Sequence, residues 1–192
     1  MAVIKISVDN IVATYNLSSA DDKAEGNGWY TVAHDFAKSL DPENPRRAAA
    51  ILAVLSPRLS WTRNIEAALD VYAGRWPKVL NTNARKAFRI RGGADPEEVV
   101  KGPKVRAFWH AIVDPSNPRA IVVDRHAIDV AAGQVLTDNQ RGVLLGRKGA
   151  YDKVCSMYVA AAKALSVAYR TEITPVEVQA TTWVAWRKAK KA

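Results

Sequence analysis

The sequence predicts an all-α protein. Three observations carry that expectation. Apolar residues recur at three-and-four spacing along most of the 192 residues. The breaks between such stretches hold Pro, Gly, Asn and Asp where helices start and stop, and no pair of alternating apolar runs marks a β-hairpin. About nine or ten helices are expected on this pattern, with no internal repeat. Apolar residues make up 48% of the chain, enough for a core. The length suits a single domain over 1–192, undivided or built as two lobes around a cleft.

The elements follow in order. A short helix is expected over 8–17, with Asp9 as its cap. Asp21 and Asp22 precede a second, over about 22–40, whose apolar face is Trp29, Val32, Ala33, Phe36 and Leu40. Gly26 and Gly28 weaken its first turns; either they admit another backbone at close range or these turns fray. DPENP at 41–45 is a break. Residues 46–55, RRAAAILAVL, form the most apolar helix and the expected centre of the core, ended by Pro57. Ser60 or Thr62 caps the next helix, with Ile65, Ala68, Leu69 and Tyr72 on one face and Gly74 at its end.

Pro77 starts a short turn, and 83–90 reads as a basic helix closed by Gly92 and Gly93. Asp95 caps the next helix and Pro96 takes its first position. Gly102 opens a helix that begins at Lys104 and buries Val105, Phe108, Trp109 and Ile112. A loop over 114–118 stops it. The apolar run 120–123 then delivers Asp124 to a further helix that ends at Gly133. Residues 134–150, with Arg141, Gly142, Gly146, Arg147, Lys148 and Gly149, read as a mobile basic loop. A long helix over 151–169 follows. Thr174, Pro175 and Glu177 form a capping-box signature for the last helix, whose stripe is Val178, Thr182, Trp183 and Trp186.

Charge narrows the partners. Lys and Arg number 28 against 19 acidic residues, a formal charge of +9. Such an excess points to a polyanion, most often nucleic acid, unless the protein is simply basic and soluble. No separate basic amphipathic helix argues for a membrane surface, and no run approaches the ~18 apolar residues of a membrane span. The N-terminus carries no signal-peptide pattern, so a cytoplasmic location is expected. Cys155 is the sole cysteine, in an Ala-rich helix. It cannot build a disulfide framework, a Cys-rich zinc site or a four-cysteine iron–sulfur cluster, and no metal or cofactor is expected.

Lys104 and Asp124 each stand at a helix N-terminus, where unpaired backbone N–H groups favour anions. The order LAVLSP, a following Trp and Asn, then GPKV, IVVDRH and a final WVAW resembles the helix-hairpin-helix DNA glycosylase superfamily of the endonuclease III type. The likeness covers about 46–135 well and the last helix loosely. The Trp29-Tyr30 pair and the flanks resemble a glycosylase-like group common in bacteriophages, which implies the host cytoplasm for a phage-encoded chain. The resemblance implies a two-lobed helical fold, a monomer acting on DNA, and base flipping. In that family the loop after the central helix inserts into DNA, which here is Leu55-Ser56-Pro57-Arg58. Gly102 and Lys104 match the hairpin that grips the backbone, and Asp124 in Val123-Asp124-Arg125-His126 matches the catalytic aspartate. The chain also departs from the pattern. Val100 stands where the hairpin has its first glycine, so the hairpin is degenerate. Arg58 replaces the loop's glutamine, the iron–sulfur cysteines are missing, and the spacing from Lys104 to Asp124 is longer.

Glycosidic cleavage builds positive charge on the sugar, which a nearby carboxylate stabilises; Asp124 suits that role and the helix-capping role at once. Lys104 is either a Schiff-base nucleophile, as in the family's bifunctional enzymes, or a phosphate-binding or solvated lysine. The target base must leave the stack, and Arg58 and Leu59 are candidates to fill its place. Trp29, Tyr30 and Trp61 are candidates to stack on the base, Trp29 and Trp61 with the core as the alternative, while Trp109 and Trp183 are assigned to the core. His126 either joins the pocket or bonds locally. Arg63, Asn64, Gly102, Arg106 and Arg125 complete the expected DNA contacts, together with Arg147 and Lys148 if these are more than a solvated turn. Three functions follow: a DNA N-glycosylase with or without lyase activity, a phage-type DNA base-hypermodification enzyme on the same scaffold, and a DNA-binding protein without catalysis.

Overall fold

Short polar side chains start most of the helices by accepting orphan backbone N–H groups. The computed structural model describes residues 4–190; among them are eleven α-helices and no strand. Ser7 caps α1 (Val8–Leu17), Asn44 caps α3 (Pro45–Leu55) and Ser60 caps α4 (Trp61–Tyr72). Asp95 caps α6 (Pro96–Val99), Asp124 caps α8 (Arg125–Ala132) and Thr174 caps α11 (Pro175–Ala189). Ser19 and Asp22 bond reciprocally at the start of α2 (Ala20–Leu40), two residues earlier than the acidic pair suggests. Ser7, not Asp9, is the α1 cap, because its hydroxyl reaches the Asn10 N–H at 3.2 Å. The remaining helices are α5 (Asn81–Arg91), α7 (Pro103–Val113), α9 (Asp138–Leu145) and α10 (Ala150–Tyr169).

The chain divides into two compact units, residues 1–29 with 118–192 and residues 30–117. In the second unit, α3 is central: every residue from Ala48 to Leu55 is buried, and α4, α5 and α7 pack around it. Its run of alanines lets neighbours approach on all sides, so a helix apolar all round is a core helix. Trp109 of α7 is fully buried, as expected, and its indole N–H donates to the Arg46 carbonyl at 3.2 Å. In the first unit, α1, α8, α10 and α11 pack on one another. Tyr158 is fully buried there and donates to the Ala127 carbonyl at 3.3 Å.

Three expectations are corrected. The buried stripe of α2 is Gly26, Tyr30, Ala33 and Ala37, while Val32 is 61% exposed. On α4 the buried residues are Asn64, Ala67, Ala68 and Val71, and Leu69 faces outward. In both, small residues take the packed face because close helix approach rewards them. Third, 138–145 is helix α9, started by a capping box between Thr137 and Gln140. Arg141 is not a free cation of a loop: its guanidinium sits on the fully buried Asp129, Nε at 2.9 Å and Nη2 at 2.8 Å. Cys155 is half-buried, and burial pushes its thiol up to about 11, outside the range of a nucleophile.

Candidate functional site

Asp124 is the best-held polar group among those expected to act. The run 120–123 is buried, and the Tyr151 hydroxyl pins it by accepting the Val123 N–H at 3.1 Å and donating to the Ile121 carbonyl at 3.0 Å. That clamp sets Asp124 in extended backbone at the head of α8. Its Oδ1 accepts the N–H groups of His126 at 2.8 Å and Ala127 at 3.0 Å. Its Oδ2 accepts the indole N–H of Trp183 at 3.1 Å. The cap occupies one oxygen and the tryptophan orients the other, so the carboxylate is fixed in place while remaining half-buried.

Trp183 corrects the expectation of a core residue. It is half-buried, meets the edge of Trp29 at a centroid distance of 5.5 Å, and lies under the Arg187 guanidinium at 4.3 Å. Trp183 thus meets Asp124 through its indole N–H and carries Trp29 and Arg187 on its ring. His126 lies on the same turn. Burial lowers its pKa, an effect the Asp124 charge opposes and the Arg125 and Lys190 charges reinforce, so its ring is neutral at pH 7. Its Nε2 faces Arg125 Nε at 3.4 Å, a local bond, and its buried Nδ1 has no partner among the described residues.

The second unit holds the other expected residues. Gly102 has φ +86°, a left-handed conformation that favours glycine, and Lys104 is half-buried in the first turn of α7. Arg106 pairs with Glu97, which also takes Arg46 at 3.2 Å, so its charge is shared within an exposed network. Arg63 is exposed on α4. Asn64 is only 2% exposed and donates to the Leu52 carbonyl at 3.1 Å. It closes the end of α3 and does not reach the surface as a DNA contact would require. Tyr30 is likewise buried, edge-on to Phe108 at 6.4 Å, and Trp61 is half-buried against Phe36 at 6.1 Å. Tyr30 therefore offers no free ring face to a base.

Arg58 is the notable residue of the expected inserting loop. Ser56 and Leu59 close a turn through a 3.1 Å backbone bond, with Pro57 and Arg58 at its centre. Arg58 has φ +68°. A turn with Pro second and positive φ third is the place for glycine, and a non-glycine residue there costs about 1 kcal/mol. Arg58→Gly is expected to stabilise the protein by about 0.5–1 kcal/mol in a denaturant titration. Leu59, beside it, is half-buried.

The family comparison spans nearly all of this. A family described as a family of unknown function, DUF7178, matches residues 3–190. The chain belongs to DUF7178. No curated protein and no solved structure matches it.

In this DUF7178 chain, Arg147 and Lys148 are exposed and line a groove of about 540 Å³ in the first unit, together with Lys5, Lys153 and the apolar side chains of Ile6 and Ile128. Arg125 is exposed at the head of α8. Lys104 lies in the second unit and Asp124 in the first. Sequence reasoning missed Tyr151, Arg187 and the bond from Trp183. The indole N–H of a tryptophan near a buried face was the available signal, since such a group needs an acceptor.

Proposed function

We propose that the chain is a DNA enzyme of the base-excision type, an N-glycosylase acting on a flipped-out modified or damaged base, with a two-lobed glycosylase-like fold. The observation that carries the reading is the Asp124 carboxylate, held by three N–H donors at the start of α8 beside Trp183 and Arg187. As the glycosidic bond breaks, its electron pair leaves with the base and positive charge gathers at the sugar. A fixed carboxylate stabilises that charge without reorganising, and water completes the substitution. The +9 charge supplies the attraction to the backbone. In a bifunctional variant of the reaction, the Lys104 amine adds to the sugar carbon in place of water and forms a Schiff base.

Asp124→Asn keeps the size of the side chain and an oxygen for the cap. It is expected to slow base release by about two orders of magnitude and leave DNA affinity within about twofold. Undiminished release removes Asp124 from the mechanism. Borohydride trapping on abasic DNA, present in the wild type and lost in Lys104→Gln, supports the nucleophile; trapping that survives that change excludes it.

A second reading has an observation of its own. Val100, in place of the hairpin glycine, is fully buried, so its side chain fills the core where the hairpin presents backbone to phosphate. That departure favours a base-hypermodification enzyme on the same scaffold, which alters the base and leaves the sugar bond intact, or a DNA-binding protein without catalysis.

A further inference from the structure

Between Asp70 and Asp95 the chain carries Arg75, Lys78, Arg85, Lys86, Arg89 and Arg91 and no carboxylate. Arg75 pairs with Asp70 at 2.9 Å; among the described residues, the other five have no acidic partner. On α5, Asn83, Ala84, Ala87 and Ile90 face inward, which leaves Arg85 and Arg89 exposed one turn apart. Like charges at this spacing repel. The C-terminal end of the helix dipole favours Arg89 and Arg91 but does nothing for Arg85 and Lys86.

An aromatic platform stands beside these charges. Trp76 lies parallel to Phe88 of α5, with centroids 5.3 Å apart and planes 9° from each other. Its indole N–H reaches Asn81 Oδ1 at 3.4 Å, and the residue is 54% exposed. Phe88 fixes the plane of a large ring that remains open to solvent. A base inside a duplex has both faces covered by its neighbours, whereas an unpaired base has a face to give.

We propose that α5 and Trp76 form a docking surface for single-stranded DNA, with one base stacked on Trp76 and the backbone following Arg85 and Arg89. The proposal rests on the nucleic-acid part of the function proposed above and uses none of its chemistry.

The test is fluorescence anisotropy with a labelled oligothymidylate and with a blunt duplex of equal length, at several salt concentrations. The single strand is expected to bind more tightly. Trp76→Ala is expected to weaken that binding about tenfold, and Trp76→Phe, which keeps a ring on Phe88, by less. The Arg85→Ala/Arg89→Ala pair is expected to flatten the log–log salt dependence by about 1.4, at roughly 0.7 per lost phosphate contact. A control pair that removes the same charge elsewhere, Lys38→Ala/Lys163→Ala, is expected to change neither quantity. Tighter duplex binding, wild-type affinity in Trp76→Ala, or an equal effect of the control pair overturns the proposal. Base release that is indifferent to Asp124→Asn defeats the glycosylase reading and leaves this surface standing, so the two fail separately.

Discussion

Gly26→Ala is expected to destabilise the protein by about 2 kcal/mol, although alanine is the better helix former. A Cβ on Gly26 would lie 2.5 Å from Thr181 Cα and 2.6 Å from both Thr181 N and Oγ1. Two of those atoms are backbone of α11, so no side-chain rotation relieves the clash. Overpacking of this kind costs up to about 3 kcal/mol, against a gain of about 1 kcal/mol in helix propensity. Two residues on, a Cβ on Gly28 meets nothing within 4 Å. Gly28→Ala is therefore expected to stabilise by about 1 kcal/mol. Thermal unfolding of the two variants should move in opposite directions, by about 6 °C down and about 3 °C up. A shift of the same sign in both removes the close approach of α2 to α11 as the reason for Gly26.

Arg141→Ala is expected to cost about 3 kcal/mol at neutral pH, because it strips a buried carboxylate of its main partner. Burial pushes the Asp129 carboxyl up; the bonds from Arg141, from Lys190 at 2.7 Å and from the Leu136 N–H at 3.2 Å more than offset that and hold it below its ordinary 3.8. A depressed native pKa gives stability that is complete above the unfolded value and lost as pH falls through the native one. Wild type should therefore weaken from about pH 4 downward. The gap between wild type and Arg141→Ala should close over the same range, since protonation of Asp129 removes the stranded charge. The paired change Asp129→Leu/Arg141→Met should recover most of the loss. Urea midpoints from pH 3 to pH 7 check this, and a gap independent of pH contradicts it.

What was legible in the sequence was local. Ser60, Asp95 with Pro96, and Thr174 with Pro175 bond their own backbone within three residues, so their meaning travels with the chain. Asp124 was legible for the same reason, as a cap and as an acid. The partner that orients its second oxygen, Trp183, is 59 residues away; its indole N–H signals the need for an acceptor, and nothing local says which one. Helix α9 is masked in the sequence because Gly142 and Gly146 lower helix propensity, although Thr137 and Gln140 carry the capping-box signature. The ion pair between Arg141 and Asp129 is not legible, since a carboxylate within an apolar helix gives no hint of which cation will reach it. The hydrophobic pattern puts Val32 and Leu69 inside because large apolar residues weigh most in it. Here glycine and alanine hold much of the contact faces, where they permit close approach and score poorly as apolar. The basic character of 83–90 is legible in the sequence; the stacking of Trp76 on Phe88 is not.

Mass spectrometry of modified and damaged DNA incubated with the wild type and with Asp124→Asn tests the central claim most directly. The glycosylase reading requires a free base in the wild-type reaction, an abasic site left in the strand, and both products formed about a hundredfold more slowly with Asp124→Asn. A base altered in mass but still joined to its sugar, or DNA recovered unchanged by the wild type, contradicts it.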